Sequence, residues 1–211
     1  MTASGSAETP AAKGESALGE EDRARADLYA VLARLYYGAP DRALLASLAR
    51  HENLFGGGDA PLGTAWRALS RRARDAAPEP LTLEYDALFV GTGKAEITLY
   101  CSYYLAQTGR ERIVVALRDE LRELGLGRTG ASHEPEDHLA ALCEVMRHLV
   151  SRGSASYALE CQKGFFLRYI ANAYIPLTDA MLASAAAGFY QDVAQVTRAF
   201  FEIESRSFEM V

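Results

Sequence analysis

The sequence predicts an all-α fold, a single-domain irregular helical bundle, on three observations. Apolar residues recur at helical spacing, as at Leu28, Val31, Leu32, Leu35 and Tyr36, which follow the stripe of an amphipathic helix. No segment carries the apolar–polar alternation of a half-buried strand, and no fixed-period repeat is visible. Glycine and proline cluster between the stripes, as at Gly38-Ala39-Pro40 and Gly56-Gly57-Gly58, where they punctuate helices. A length of 211 residues suits one large domain, and 49% apolar residues suffice for its core.

Residues 1–19 are rich in Ala, Gly, Ser, Thr and Glu, a composition that cannot bury enough apolar surface to offset chain entropy, so they read as a disordered tail. The helical domain is expected over 20–211. Its first helix ends at Gly38-Ala39-Pro40, and Asp41 is placed to cap a second helix carrying Leu44, Leu45 and Leu48. Pro61 suits the first turn of a third helix with Leu62, Ala65, Trp66 and Leu69 on its inner face and Arg67, Arg71, Arg72 and Arg74 outside. Pro78 and Pro80 are expected to end that element, with Thr82 capping the next helix, which bears Tyr85, Leu88 and Phe89 and stops at Gly91-Thr92-Gly93. Tyr100 to Gln107 reads equally as helix or buried strand. Ile113, Val114, Leu117, Leu121 and Leu124 mark a helix closed by Gly125 and Gly127. Pro135 is expected to start the following helix, which buries Leu139, Leu142, Cys143, Met146, Leu149 and Val150. Further helices carry Ala158, Cys161 and Phe165, then Leu182 and Phe189, then Val193, Val196, Phe200 and Ile203.

A net charge of −6 disfavours binding of nucleic acid by phosphate neutralisation and suits a cationic partner. Three cysteines, Cys101, Cys143 and Cys161, form no C-x-x-C and leave an odd count, which fits a reducing cytoplasm rather than a disulfide framework. No apolar run approaches the roughly 18 residues of a membrane span, so stable membrane insertion is not expected. Residues 1–20 lack the basic start and apolar centre of a signal peptide, so a cytoplasmic location is expected.

Two dense polar and aromatic patches stand out, Glu84 to Lys94 continuing through Leu99 to Tyr104, and Glu134-Pro135-Glu136-Asp137-His138. Gly93-Lys94 looks like the end of a phosphate loop, but the pattern needs Gly where Leu88 stands and Ser or Thr where Ala95 stands. A zinc-protease pattern starting at His133 needs its second histidine where Asp137 stands, and Pro135 would sit inside the ligand helix. Adjacent helical residues such as Asp137 and His138 point about 100° apart and do not orient each other for catalysis. The cysteines read as buried inert thiols. Tyr100, Tyr103 and Tyr104 can be core residues or can line a groove.

In two places the chain resembles the TorD/DmsD/NarJ family of cytoplasmic chaperones for molybdenum-cofactor oxidoreductases. The first family motif, Glu, three residues, Leu-Phe, a glycine loop, then Pro-x-Tyr-Glu-Ser-x-x-Tyr, is filled by Glu84, Leu88, Phe89, Tyr100, Ser102 and Tyr104. The second, Glu-Pro-x-Asp-His, is complete at Glu134, Pro135, Asp137 and His138. Thr98 replaces the family's proline and Cys101 its glutamate, so no role of that carboxylate carries over. The resemblance implies a non-enzymatic, system-specific chaperone without a cofactor. Its partner would be the apo catalytic subunit of a molybdopterin oxidoreductase, together with that subunit's twin-arginine signal peptide where it has one. The implied client-binding residues are Leu88, Phe89, Tyr100, Ser102, Tyr104, Glu134, Pro135, Asp137 and His138. A monomer or a domain-swapped dimer, hinged between Gly125 and Ser132, is compatible with a bundle of two packed halves. The competing reading is a small all-helical metal- or ligand-dependent hydrolase using Glu134, Asp137 and His138.

Overall fold

A computed structural model of the chain describes residues 18–56, 58–91, 93–127, 135–153 and 156–210. The tail expected up to residue 19 lies outside them as far as residue 17, as do Glu134 and most of the expected hinge. Helices follow in the order α1 (Glu20–Tyr37), α2 (Arg42–Arg50), α3 (Pro61–Asp75), α4 (Pro78–Tyr85), α5 (Ser102–Leu105), α6 (Arg110–Glu123), α7 (Leu139–Ser151), α8 (Ser156–Tyr169), α9 (Tyr174–Ala183) and α10 (Phe189–Glu209). No strand occurs among the described residues, so the fold is all-α as expected.

The apolar stripes decide the packing. Helix α1 lies along α7, α10 packs on α3 and α9, and α2 packs on α3. Leu28, Leu32, Leu35 and Tyr36 of the expected α1 stripe are buried, and Tyr29 joins them. Buried phenol groups find partners, as a dry core requires. The Tyr36 hydroxyl lies 2.7 Å from Thr197 Oγ1, and Tyr190 donates to the Leu35 carbonyl at 3.1 Å. Glu204, 1% exposed, accepts from the Arg25 guanidinium at 2.8 and 2.9 Å and from the Tyr29 hydroxyl at 2.8 Å. This network joins α1 to α10 across the length of the sequence.

Several expected boundaries hold. Asp41 accepts from Leu44 N at 2.7 Å and caps α2, and Pro61 opens α3. Helix α6 closes on Gly125, whose φ of +73° lets Leu126 N reach the Leu121 carbonyl at 2.8 Å and Gly125 N reach that of Arg122 at 3.1 Å.

Three expectations need correction. Pro78 opens α4 instead of ending α3, because a proline in a first turn forfeits no helical hydrogen bond. Thr82 is therefore inside α4, its hydroxyl donating back to the Pro78 carbonyl at 3.0 Å. Pro135 does not start α7, which begins at Leu139 behind an extended His138. Phe189 belongs to α10 rather than to the helix of Leu182, since the chain breaks over 184–188.

Candidate functional site

The two motif patches meet in a short backbone joint. Cys101 N donates to the Asp137 carbonyl at 2.9 Å and Leu139 N to the Leu99 carbonyl at 2.8 Å, a single antiparallel bridge pairing Tyr100 with His138. Their rings stand edge to face with centroids 5.5 Å apart. The bridge explains the late start of α7: His138 must stay extended, and its Nδ1 accepts from Ala140 N at 3.2 Å as the helix cap. Acting as acceptor leaves Nδ1 without a proton.

Upstream of the bridge, α4 runs into a π-helical turn, Asp86–Val90, closed by Gly91 N donating to the Asp86 carbonyl at 2.7 Å. Gly91 has a φ of +63°, and a Cβ there would overlap the Lys94 carbonyl. Ile97 N then donates to the Leu88 carbonyl at 2.8 Å, folding the loop onto the turn. Leu88 is fully buried, and Phe89 is half-buried between the rings of Tyr85 and Tyr190, each 5.1 Å away.

Glu84 has a role that sequence reasoning did not assign. Its carboxylate accepts from Gly188 N and Tyr190 N at 2.8 Å each and from Phe189 N at 3.2 Å, capping α10 from another helix. Nothing in local sequence links positions so far apart.

The expected site residues thus differ in surroundings. Tyr104 donates to the Thr98 carbonyl at 3.0 Å and ties down the loop at the position where the family motif has proline. Ser102, Asp137 and His138 are buried at 5%, 4% and 5% exposure, while Tyr100 is 37% exposed and Pro135 half-buried. Burial first, and the Asp137 carboxylate second, push the Cys101 thiol well above its ordinary range, so it stays protonated. Cys143 is likewise buried and held protonated by its surroundings. Among the described residues no group of three His, Cys, Asp or Glu could hold a metal ion.

A groove of about 590 Å³ opens beside the joint, with His138 in its wall. The end of α1, the start of α2, the end of α6 and the outer face of α7 enclose it. Small residues make the hollow: Ala33, Ala39, Ala140, Ala141, Gly38 and Gly127 leave space that larger side chains would fill. Leu44, Leu121, Leu126, Val145 and Tyr37 supply apolar surface, and Tyr37 is 59% exposed. Asp41, Glu136 and Glu144 bring three carboxylates to the lining, paired with Arg34 of the lining and with Arg118 and Arg147 outside it, in that order. Of the expected binding residues, His138 lines this groove, whereas Leu88, Phe89, Tyr100, Ser102, Tyr104, Pro135 and Asp137 do not.

No helix among the described residues is long and apolar enough to cross a membrane. A family model described as the nitrate reductase delta subunit matches residues 56–178, more than half of the chain and a span that includes both motif patches. No curated protein matches. A solved structure of a protein from Archaeoglobus fulgidus assigned to redox enzyme maturation superposes with a TM-score of 0.55 at 16% identity, covering 94% of this chain and 99% of that one. At that identity the likeness speaks for the fold, and it extends the all-helical architecture beyond the matched segment. The chain belongs to the nitrate reductase delta subunit family of NarJ/TorD-type chaperones and is by that membership a redox enzyme maturation chaperone.

Proposed function

We propose that this chaperone works in the cytoplasm on the apo catalytic subunit of a molybdopterin oxidoreductase. It would hold that subunit, and its twin-arginine signal peptide where one is present, until the cofactor is inserted. The observation that carries this reading is the groove beside His138. Its volume lies within the range of about 300–1,000 Å³ typical of binding clefts, its lining is mainly apolar, and three carboxylates stand among the lining residues, one paired with a lining guanidinium and two with arginines outside the lining. A signal peptide offers the complement, a basic start followed by an apolar helical stretch. Holding such a segment needs no chemistry at the site, which agrees with protonated, buried thiols and a His138 ring engaged in capping.

Within this reading His138 meets the client directly. Tyr100 stands at the edge, and Leu88, Phe89, Ser102, Tyr104 and Asp137 act by holding the joint in shape. The test is affinity purification of the tagged full-length chain from its host under anaerobic respiration, with bound proteins identified by mass spectrometry. A stoichiometric molybdenum-enzyme subunit enriched in its apo form is the expected result. Its absence, with the chaperone folded and the enzymes expressed, would overturn the assignment.

A further inference from the structure

A second hollow, of about 520 Å³, opens at the other end of α1. The start of α1, the end of α10, the start of α3 and Leu159 of α8 enclose it. Leu28, Leu62, Phe200 and Phe208 line it as buried residues, and Ile203 stands at its edge 47% exposed. The Arg25 network holds this shape. The guanidinium lies 5.8 Å from the Phe208 ring centroid and donates to Glu204, to Asp22 and, at 3.0 Å, to Gln162. Gln162 in turn donates to the Leu149 and Gly153 carbonyls at 3.3 and 3.1 Å, tying α8 to the end of α7. A hollow framed in this way is formed before any partner arrives, which lowers the ordering cost of binding.

The charge of this lining is lopsided. Four carboxylates, those of Glu20, Glu21, Asp22 and Glu204, share it with one guanidinium, Arg25, which is committed to Asp22 and Glu204. The carboxylates of Glu20 and Glu21 are exposed and hold no cation and no hydrogen-bond donor among the described residues. The positive end of α1 accounts for acidic residues in its first turn. It does not account for the uncovered apolar surface beside them. Apolar surface and uncommitted negative charge in one place fit a partner that carries both complements.

We propose that this hollow is a second docking site, separate from the groove beside His138, for a basic amphipathic helix of a protein partner: apolar side chains of the helix cover Ile203 and enter the hollow, and a lysine or arginine one turn away meets Glu20 and Glu21. Residues three or four apart on a helix share a face, so the apolar anchor and the cation arrive together. Burial of the apolar face supplies the affinity, and the exposed carboxylates select the partner. A neutral helix of the same shape keeps the first contribution and loses the second. The site stands whatever the groove beside His138 binds, since no described residue lines both.

The test is hydrogen exchange on the full-length chain titrated with two amphipathic peptides of about twenty residues, identical in their Leu and Ala stripe and carrying either lysines or glutamines beside it. The lysine peptide should protect amides at the start of α1 and the end of α10, with a midpoint about three- to tenfold lower in concentration than the glutamine peptide. Added salt should narrow that gap. Glu20→Gln combined with Glu21→Gln, two exposed and size-conserving changes, should erase it while leaving the far-UV melting curve in place. Ile203→Ser should raise both midpoints together. No protection of these amides by either peptide would overturn the site, and so would equal midpoints in wild type or a gap that survives the double substitution. Amides already protected in the concentrated chain alone, and released on dilution, would assign the hollow to a second copy and overturn the proposal. Amides lining the groove beside His138 report on that groove in the same experiment, so failure of one site is distinguishable from failure of the other.

Discussion

Replacing Glu84 by alanine tests whether a motif residue acts through the fold or through the client. Two carboxylate oxygens satisfy three backbone N–H groups at the start of α10, a helix of 21 residues whose Phe189 and Tyr190 are buried. Loss of a side-chain cap costs about 1–2 kcal/mol. A carboxylate at the positive end of a helix adds about 0.3–1 kcal/mol. Glu84 is half-buried, so water reaches part of the vacated site and the full penalty for three orphaned donors does not apply. The expected loss for Glu84→Ala is therefore about 2–3 kcal/mol, which for a chain of this size lowers Tm by roughly 5–10 °C. Glu84→Gln keeps one acceptor oxygen and loses the charge, and should cost about half as much. Urea unfolding followed by far-UV circular dichroism gives both values, with an unchanged m-value expected because the denatured state is not altered. If Glu84→Ala stays within about 0.5 kcal/mol of wild type while client binding falls, the capping argument is wrong and Glu84 belongs to the binding surface.

Other consequences can be checked in the same apparatus. Gly91→Ala combines a left-handed φ with a Cβ 2.7 Å from the Lys94 carbonyl carbon, and should destabilise by about 2–4 kcal/mol in thermal melts. Arg25→Ala strands the buried Glu204 carboxylate and should cost about 3–5 kcal/mol; a loss under about 1 kcal/mol would show that Tyr29 alone suffices. Burial raises Cys101, Cys143, Tyr29, Tyr36 and Tyr190 above their ordinary values, and it pushes the Tyr169 hydroxyl up to about 12. The folded chain then keeps protons that the unfolded chain releases between about pH 8.5 and 10. Stability is complete below that window and falls as pH rises through it, by up to about 1.4 kcal/mol per pH unit for each such group. Urea midpoints that stay flat from pH 8 to 10.5 would refute the burial of these groups.

What the sequence discloses divides along the range of the interaction. Helices with long stripes, α1, α6 and α7, were legible because 3.6-residue periodicity is local, and so were the Asp41 cap, the Pro61 start and the Gly125 stop. The joint was not, because the start of α7 is fixed by a bridge to Tyr100, and no pattern around Pro135 records a strand partner so distant in sequence. The cap of α10 by Glu84 was hidden for the same reason. The groove was harder still: it is a deficit of volume, written as Ala33 on α1 and Ala140 and Ala141 on α7, which look like ordinary helix formers until the two helices face each other, with Gly38, Ala39 and Gly127 in the adjoining connections. Glu136 was visible only as a member of the second polar patch, and its pairing with Arg118 comes from how α6 lies in the fold.

The motif residues mostly build the wall beside the groove instead of lining it. Glu84 holds α10, Leu88 and Phe89 fill the space under the π-helical turn, Tyr104 fixes the loop at Thr98, and His138 both caps α7 and faces the cavity. Loss of client binding after substitution at the first four positions would thus follow from a displaced bridge as readily as from a lost contact. His138 is where the two effects can be separated. His138→Asn keeps a cap acceptor, since asparagine ranks among the best N-caps, while removing the ring that faces the groove and meets Tyr100 edge to face. A variant with near wild-type Tm and weakened client binding would place the imidazole itself in contact with the partner. Equal losses of stability and binding would assign it to the joint.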